Sequence, residues 1–289
     1  MKARIVPLNE IPTIKDEEWR DTGRHIWVQN GMAHIPVKDG YRYDTELADR
    51  KPYTGRGYQL IGNIAVVHGI RPTEKEIDEI DKQTGAAGIL WIRSLNGVER
   101  IPETELLAGE TGDVLHREEG ISYWIDPSRV MFSQGNREEK KRMSGAVKKG
   151  ERVADMFAGI GYFTLPVARK GAHVHAMELN PVTCGYLQRN CKENHVTDRV
   201  TVSCGDCRTR LDGLYDRFIM GHFDALSMLP DALEHAGKGT VLHVHSRGPA
   251  PPSPEGITGE YGFDASVITR KIKKYAPHQW HFVQDVYLS

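Results

Sequence analysis

The second half of the chain alternates short apolar runs with amphipathic segments. Apolar runs lie at residues 153–157, 173–177, 200–202, 217–220, 240–245 and 281–288. Segments 162–170 and 183–194 separate the first three runs and have the spacing of amphipathic helices. Strands that alternate with helices indicate an α/β fold with a parallel, doubly wound, Rossmann-like sheet.

The first 120 or so residues follow a different pattern. Aromatic and β-branched residues recur in short pieces, such as GYQLIGNIAVVHG and GISYWIDPSRVMF, between glycine and asparagine turns. One helix-like run, at 74–82, interrupts them. This pattern predicts a smaller α+β domain on an antiparallel or mixed sheet. We place the domain boundary near Asp126, so that residues 1–125 form the small domain and 126–289 the Rossmann-like domain.

Composition and charge limit the function classes. The 289 residues are 39% apolar and 27% charged, which is typical of globular proteins. No apolar run approaches the roughly 20 residues of a membrane span, and the first residues lack the apolar core of a secretory signal. A cytoplasmic protein without membrane contact is therefore expected. The sequence indicates no protein partner, and a monomer is the simplest expectation.

The net charge of −1 argues against a general polyanion binder. Any nucleic-acid surface must then be local, and two basic segments are candidates. One is 137–152 (REEKKRMSGAVKKGER), which taken alone is more simply a solvated helix face. The other is 270–274 (RKIKK), which Tyr275, His278 and Trp280 follow.

The cysteines and strand histidines do not indicate a metal site. Cys184 and Cys191 lie seven positions apart, unlike the close pairs of structural zinc sites, so free thiols are expected at all four cysteines, which include Cys204 and Cys207. Histidines that alternate along the predicted strands have no acidic or cysteine partner that completes a ligand set, and we interpret them as packing or hydrogen-bonded residues. They are His173, His175, His243 and His245.

Carboxylates end three successive predicted strands and indicate a nucleoside site. Asp155 begins the glycine turn DMFAGIG (155–161), Glu178 ends the next strand, and Asp206 follows the third. Glycine lets the backbone approach a ligand, and a carboxylate at the second strand end can accept both ribose hydroxyls. The turn lacks the G-x-G-x-x-G and P-loop patterns, so a sulfonium nucleoside without phosphates fits better than a dinucleotide or nucleoside triphosphate.

These motifs resemble class I S-adenosylmethionine-dependent transferases. VLHREEGISYWID (114–126) and FSQGNREEKKRM (132–143), joined to DMFAGIGYFTLP, are similar to the archaeal and eukaryotic family of tRNA (guanine-N1)-methyltransferase and the wybutosine-pathway aminocarboxypropyltransferase. The resemblance extends from about Gly57 to the C-terminal YAPHQWHFVQDV. It implies S-adenosylmethionine as group donor, no metal, and tRNA(Phe) as partner.

The resemblance also implies roles for individual residues. Ser133 and Lys140 would anchor the carboxylate of the methionine moiety, although the family more often has arginine at the second position. Glu139 occupies the position of the methyltransferase's base, and with His222 it is a candidate catalytic residue; each could instead be structural. The implied cofactor contacts are Ser133, Lys140, Asp155, Phe157, Gly159, Glu178, Asp206, Cys207 and Gly221.

The loop after the fourth predicted strand discriminates between the family's reactions. Where the methyltransferase carries Asn-Leu-Pro, this chain has Gly221-His222-Phe223. A sulfonium activates three carbons, and the one in line with the nucleophile reacts. The missing asparagine favours transfer of the 3-amino-3-carboxypropyl group to 4-demethylwyosine in tRNA(Phe), with 5′-methylthioadenosine as by-product. The alternatives are guanine-N1 methylation of tRNA and a non-catalytic tRNA-binding protein that retains a nucleoside pocket.

Overall fold

The computed structural model describes residues 1–24, 26–29, 31–47, 54–133 and 137–289. The chain divides into two compact units, Met1–Thr54 and Gly55–Ser289. This division differs from the boundary that the sequence predicts near Asp126. Residues on both sides of Asp126, among them Ile61, Tyr123 and Tyr186, belong to one hydrophobic core, which keeps 55–125 with the Rossmann-like part.

The first unit contains a four-stranded antiparallel sheet. Its order is β2-β3-β1-β4, with strands β1 (Lys2–Pro7), β2 (Trp27–Gln29), β3 (Met32–Pro36) and β4 (Thr45–Glu46). A small core of Trp19, Ala33, Ile35 and Val37 packs against it.

The second unit begins with a mixed four-stranded sheet, as the sequence pattern predicts. Its order is β5-β6-β7-β8, with strands β5 (Gln59–Ile61), β6 (Ile64–His68), β7 (Gly88–Asn96) and β8 (Ile101–Gly109). Strands β6 and β7 are parallel because helix α1 (Glu74–Thr84) connects them. This helix begins with a capping box between Thr73 and Glu76 and ends at Gly85, whose φ is +56°.

The larger sheet of the second unit has seven strands and the class I topology. Its order is β13-β12-β11-β14-β15-β17-β16, in which β17 runs antiparallel to both of its neighbours. The strands are β11 (Arg152–Asp155), β12 (His173–Glu178), β13 (Val200–Cys204), β14 (Arg217–Met220), β15 (Val241–Gly248), β16 (Ala265–Ala276) and β17 (Gln279–Leu288). The helices are α2 (Arg137–Ala146), α3 (Thr164–Arg169), α4 (Pro181–Glu193), α5 (Leu229–Leu233) and α6 (Glu255–Glu260).

A hairpin of β9 (Val114–Glu118) and β10 (Ile121–Ile125) joins the two sheets through helix α4. The carboxamide of Asn190, fully buried on α4, accepts from the Trp124 amide at 2.7 Å and donates to the Ile160 carbonyl at 3.0 Å. The Asn194 carboxamide accepts from the Ser122 amide at 3.0 Å and donates to the Ser122 carbonyl at 2.7 Å. These two asparagines satisfy backbone groups that burial would otherwise leave unpaired.

The sequence pattern did not predict strand β16. The basic run 270–274 lies within it, and its pairing with β17 shifts register between Lys271 and Lys273. Charged side chains are common on edge strands, but a run of them lacks the alternation of polar and apolar residues by which a strand is predicted. The basic segment is therefore part of an antiparallel ribbon.

The structure differs from the sequence prediction at two of the four cysteines. Cys184 and Cys204, predicted to be free thiols, form a disulfide with their Cα atoms 6.1 Å apart, whereas Cys191 and Cys207 are buried and free. Cys184 lies in the first turn of α4 and Cys204 at the end of β13, which pairs there with Glu178 of β12. Across the described ranges, no helix is long and apolar enough to cross a membrane.

Candidate cofactor and acceptor site

The carboxyl ends of the parallel strands bring most of the predicted site residues to one edge of the seven-stranded sheet. Asp155 ends β11, Glu178 ends β12, Asp206 follows β13, and Gly221 follows β14. Ligands of open α/β sheets bind at this edge. The strand order β13-β12-β11-β14 makes these four positions neighbours.

The glycine turn after β11 is required by its own packing. Gly159 has a φ of +56°, and a Cβ there would lie 2.5 Å from Cε2 of Tyr162. Gly161 has a φ of +105°, and its Cβ would lie 2.7 Å from Cγ of Leu165. Both positions therefore exclude side chains. The Gly159 amide donates to Glu178 Oε2 at 2.9 Å, which links the turn to the next strand end.

Glu178 is held by backbone amides on both sides. Its second oxygen, Oε1, accepts from the Asn180 amide at 2.9 Å. Asn180 in turn caps α4 by accepting from the Val182 amide at 2.8 Å. Burial raises the pKa of Glu178, against the effect of these amides. The carboxylate is thus fixed in orientation between the glycine turn and the start of α4.

Asp155 is fully buried and receives hydrogen bonds from neutral groups. The Thr164 hydroxyl donates to Asp155 Oδ2 at 2.7 Å, and the Phe157 amide donates to Oδ1 at 3.4 Å. Burial raises the pKa of Asp155 to about 7, with the nearby Glu178 carboxylate acting in the same direction. A cationic ligand beside it would favour the ionised carboxylate.

Asp155→Asn is expected to stabilise the ligand-free protein at pH 8 but not at pH 4. Because the folded-state pKa is raised, the stability that Asp155 contributes is complete below the unfolded pKa and is lost as pH rises to about 7. The asparagine removes this loss, and we expect a gain of roughly 2–4 kcal/mol at pH 8. Urea unfolding at the two pH values measures it. Asp198→Asn, at an exposed position, is the control; an equal gain at both pH values would contradict the prediction.

Asp206 and Cys207 lie in a 3-10 turn after β13. Asp206 accepts from the amide and from Nε of Arg208, each at 3.0 Å, and these contacts with Arg208 lower the pKa of Asp206. A nucleobase amino group would have to share this carboxylate with the guanidinium. Cys207 is buried, with its Sγ 3.7 Å from Sδ of Met228, and burial raises the pKa of its thiol to about 11. Its surroundings are those of an unreactive packing residue.

The loop Gly221-His222-Phe223 contacts the glycine turn at 155–161, which we call the cofactor turn below. The His222 ring stacks on Phe157 with a centroid distance of 5.2 Å and 23° between the planes. Its Nδ1 accepts from the Asp224 amide at 3.2 Å, and burial lowers the pKa of His222. A Cβ at Gly221 would lie 3.2 Å from Cε2 of Phe163, so the asparagine of the methyltransferase would require Phe163 to move.

Lys140 is buried with an anionic partner. Its Nζ lies 3.0 Å from Glu118 Oε2, and 5.2 Å and 5.3 Å from the ring centroids of Phe132 and Tyr162. Lys140 also borders a cavity of about 410 Å³ between hairpin β9–β10, α2 and α3. Burial lowers its pKa, against the effect of Glu118. Contact between Lys140 and a cofactor carboxylate stays a prediction.

The backbone of Ser133 acts on the Tyr162 hydroxyl and opposes the rise that burial causes in the pKa of Tyr162. The Tyr162 hydroxyl also donates to the Met131 carbonyl. The next residues of the FSQGNREEKKRM motif, 134–136, lie outside the described residues. The predicted donation from the Ser133 hydroxyl to a cofactor stays a prediction.

Glu139 belongs to a buried ion network that the motif did not reveal. Arg142 Nε donates to Glu139 Oε2 at 2.9 Å, and Arg142 Nη1 donates to Asp285 Oδ2 at 2.7 Å. Asp285 also lies 2.6 Å from Nδ1 of His243. Glu139 is only 2% exposed, so its predicted role as a base would require it to leave Arg142. Only the three-residue spacing of Glu139 and Arg142 on α2 could have signalled this pair.

Among the described residues, no group of three or more histidine, cysteine, aspartate or glutamate side chains could hold a metal ion. The site offers three kinds of polar groups: the carboxylates at the strand ends, the backbone of the glycine turn, and the Gly221-His222-Phe223 loop. Such a set can bind a nucleoside through its ribose and base, and it leaves the loop after β14 to face an acceptor.

Comparison with known proteins agrees with this arrangement. Residues 114–257 match the model of the TRM5/TYW2 methyltransferase domain. A tRNA(Phe) (4-demethylwyosine(37)-C(7)) aminocarboxypropyltransferase of Methanocaldococcus jannaschii is 35% identical over 243 residues, 80% of this chain and 97% of the relative. The crystal structure of P. horikoshii TYW2 in complex with MeSAdo has a TM-score of 0.71 and 32% identity, covering 81% of this chain and 91% of that one. That of Trm5b from Pyrococcus abyssi has a TM-score of 0.71 and 29% identity, covering 100% of both. The chain therefore belongs to the TRM5/TYW2 family of class I S-adenosylmethionine-dependent transferases.

Proposed function

We propose that the protein transfers the 3-amino-3-carboxypropyl group of S-adenosylmethionine to 4-demethylwyosine in tRNA(Phe), a step of wybutosine-derivative biosynthesis. The observation that carries this proposal is the loop after β14, where Gly221 replaces the asparagine of the methyltransferase and packs against Phe163. The named activity of the M. jannaschii relative supports it, because that protein is covered almost completely by this chain.

The residues at the strand ends fit an S-adenosylmethionine molecule. Glu178 offers a fixed carboxylate for the ribose hydroxyls, and Gly159 keeps the turn beside it free of a side chain. Within the described part of the chain, the hydrogen-bond donors to Asp155 are neutral groups, which suits a positively charged ligand. When bound, the donor supplies a sulfonium whose neighbouring carbons are open to a nucleophile.

His222 is our candidate for the proton-accepting group. Alkylation of a ring carbon of the acceptor forms a carbon–carbon bond, breaks the bond between carbon and sulfur, and requires loss of the ring-carbon proton. Burial lowers the pKa of His222, which favours the neutral imidazole, the form that can accept a proton. Its stacking on Phe157 keeps it next to the cofactor turn. Glu139 is the alternative, and it would first have to separate from Arg142.

A double-label experiment tests the proposed reaction. The protein is incubated with tRNA(Phe) that contains 4-demethylwyosine and with S-adenosylmethionine labelled either in its carboxyl carbon or in its methyl carbon. We expect the carboxyl label in the tRNA and the methyl label in 5′-methylthioadenosine. Transfer of methyl label alone would show the reaction to be wrong, and tRNA without the wyosine precursor is the control substrate.

Guanine-N1 methylation is the second candidate, because the chain is also similar to Trm5b over its whole length. Unmodified tRNA transcript with methyl-labelled donor distinguishes it, since only the methyltransferase activity labels that RNA. A non-catalytic tRNA-binding protein is the third interpretation. It would be favoured if neither substrate is labelled, the protein binds tRNA, and calorimetry detects no binding of S-adenosylmethionine or 5′-methylthioadenosine.

Recognition of tRNA would use local basic surfaces, given the net charge of −1. We propose that the exposed Lys271 and Lys274 of β16 and Lys141 of α2 contact the RNA backbone, and that residues 1–125 contribute further contacts. The Nζ atom of Lys271 lies 3.3 Å from the centroid of the Trp280 ring. This contact keeps the lysine's charge on the ribbon of β16 and β17. A tRNA substrate also supports the expected cytoplasmic location.

A further inference from the structure

Three side chains from separate segments form a partly exposed aromatic and cationic group at the end of the loop after β14. We call Phe223, Arg247 and Tyr275 the Arg247 cluster. The Arg247 guanidinium carbon lies 5.4 Å from the Phe223 ring centroid and 5.0 Å from that of Tyr275. The two rings meet edge to face, 5.3 Å apart at 83°. Tyr275 is 47% exposed and Arg247 is exposed as well, so packing alone does not account for the cluster.

A buried pair of histidines lies behind Phe223. The His281 ring meets Phe223 edge to face at 5.2 Å, and its Nε2 lies 3.0 Å from Nδ1 of His245. Each histidine is 1% exposed. Their outer nitrogens, His245 Nε2 and His281 Nδ1, have no hydrogen-bond partner in the part of the chain that the structure describes. Buried polar atoms of folded proteins are nearly always paired, so these two indicate an interaction that a ligand or water completes.

The histidine pair presents one donor and one acceptor whichever tautomers it adopts. Burial lowers the pKa of both imidazoles, that of His281 to about 4, so both are neutral at pH 7. A neutral imidazole has one N–H and one bare nitrogen. If His281 donates within the pair, its Nδ1 is an acceptor and His245 Nε2 is a donor; if His245 donates, the outer roles exchange. A buried water can satisfy both outer nitrogens in either arrangement.

The Arg247 cluster adjoins the cofactor turn through a chain of ring contacts. His245 meets Phe163 edge to face at 5.6 Å, and Phe163 packs against Gly221. On the other side of the loop, His222 stacks on Phe157 of the cofactor turn. One loop, Gly221-His222-Phe223, thus connects the Arg247 cluster to the strand ends of β11 and β14. This proximity is what a subsite for the acceptor base needs, because the base must lie next to the donor.

The chemistry of the cluster fits a nucleobase better than a protein side chain. Single-stranded RNA is held by aromatic faces and arginine planes that stack on splayed bases, with nearby cations for the backbone. The Arg247 cluster provides two rings and a guanidinium, and the neighbouring strand β16 provides exposed Arg270, Lys271 and Lys274. Repeated positive charge beside aromatic rings favours a polyanion over an apolar peptide.

We propose that the Arg247 cluster is the subsite that stacks the acceptor base of the tRNA, and that the buried His245–His281 pair positions Phe223 within it. This inference rests on the proposed function for the identity of the RNA. It assigns acceptor recognition to residues of β15, β16 and β17, which lie outside the carboxylate set that holds the donor.

Base stacking can be measured without catalysis. An anticodon stem-loop with 2-aminopurine at the position 3′ of the anticodon should lose fluorescence when it binds the wild-type protein, because stacking quenches this base. Tyr275→Ala and Arg247→Met should each abolish most of the quenching. Tyr287→Ala, which removes a tyrosine of similar exposure from β17, should leave it unchanged. Quenching that survives both cluster substitutions would overturn the proposal.

Kinetics of group transfer provide the second measurement. Tyr275→Ala and Arg247→Met should lower kcat/KM for tRNA by roughly 5- to 100-fold, the range expected for loss of one base stack. Their Kd for S-adenosylmethionine should stay within about twofold of wild type, because donor contacts are separate. Arg247→Lys keeps the charge without the plane and should recover only part of the activity. An equal loss of donor affinity, or unchanged kcat/KM, would contradict the subsite.

His281→Phe tests the histidine pair. It keeps a ring against Phe223 and removes both nitrogens, so we expect partial quenching and a lower kcat with the tRNA KM raised less than threefold. Full activity would exclude the pair from positioning Phe223. The two proposals can fail separately: a wild-type protein that quenches through Tyr275 but transfers no aminocarboxypropyl group retains the base subsite and loses the proposed function.

Discussion

Glu178→Gln is expected to weaken S-adenosylmethionine binding by roughly 10- to 100-fold, the range for loss of hydrogen bonds to a charged group. The carboxylate accepts from Gly159 and Asn180 in the ligand-free protein and still has lone pairs for the ribose hydroxyls. A glutamine has one acceptor oxygen and turns its NH₂ group toward one of these N–H donors. The substitution therefore disturbs both the ribose contact and the turn that frames it. Isothermal titration calorimetry with S-adenosylmethionine measures the loss.

Stability measurements separate this effect from unfolding. Burial raises the pKa of Glu178, so a neutral glutamine removes part of the cost of a buried charge. Its NH₂ group leaves one N–H of Gly159 or Asn180 without an acceptor, which acts in the opposite direction. We therefore expect a net loss of under about 3 kcal/mol in the free energy of unfolding at pH 7, measured by urea unfolding. Glu234→Gln, an exposed glutamate after α5, is the matched control and should bind the donor like wild type. Wild-type affinity in Glu178→Gln would remove this carboxylate from the donor site.

Arg142→Met is expected to lower the free energy of unfolding by about 3–5 kcal/mol at pH 7, the range for breaking a buried ion pair by removing one partner. The methionine fills much of the same volume but leaves Glu139, at 2% exposure, without its guanidinium. Asp285 keeps His243 and Arg270 as partners, so the unpaired charge is mainly that of Glu139. Urea unfolding followed by circular dichroism measures the difference.

The effect of Arg142→Met should depend on pH. Burial raises the pKa of the Asp285 carboxyl, but hydrogen bonds from His243 and Arg142 have the larger combined effect and hold that pKa below its usual range. A depressed carboxyl pKa contributes stability above the unfolded pKa, roughly 4, and that contribution is lost as pH falls. Arg142 supplies part of this depression, so the part of the variant's deficit that comes from Asp285 should shrink below pH 4. Arg199→Met, which removes a surface pair with Asp198, should cost under about 1 kcal/mol. A similar cost for both substitutions would mean that the network adds no stability.

Local patterns predicted the elements that bury an apolar face. The runs at 153–157 and 217–220 correspond to β11 and β14, and the carboxylates at the strand ends lie where the alternation of strands and helices placed them. Strand β16 escaped prediction because its run of lysines lacks the alternation of a half-buried strand. The domain boundary differed because Asn190 and Asn194, ordinary polar residues of a helix in the sequence, bind the backbone of the β9–β10 hairpin.

Contacts between distant positions could not be read from local patterns. Arg142 and Asp285 are separated by 143 positions, and the Arg247 cluster draws on three segments that only the sheet order brings together. Gly159 was predicted from the approach of a ligand, whereas its Cβ would also collide with Tyr162. Each of these contacts depends on tertiary packing, which a periodicity does not encode.

The lysines of β16 have a consequence for assembly. β16 is the last strand of the seven-stranded sheet, and one side of its backbone is not paired with β17. An open strand of this kind can pair with the same strand of another molecule, and charged side chains oppose such association by mutual repulsion. Neutralising Lys271 and Lys274 to reduce RNA affinity would therefore also promote self-association through the sheet.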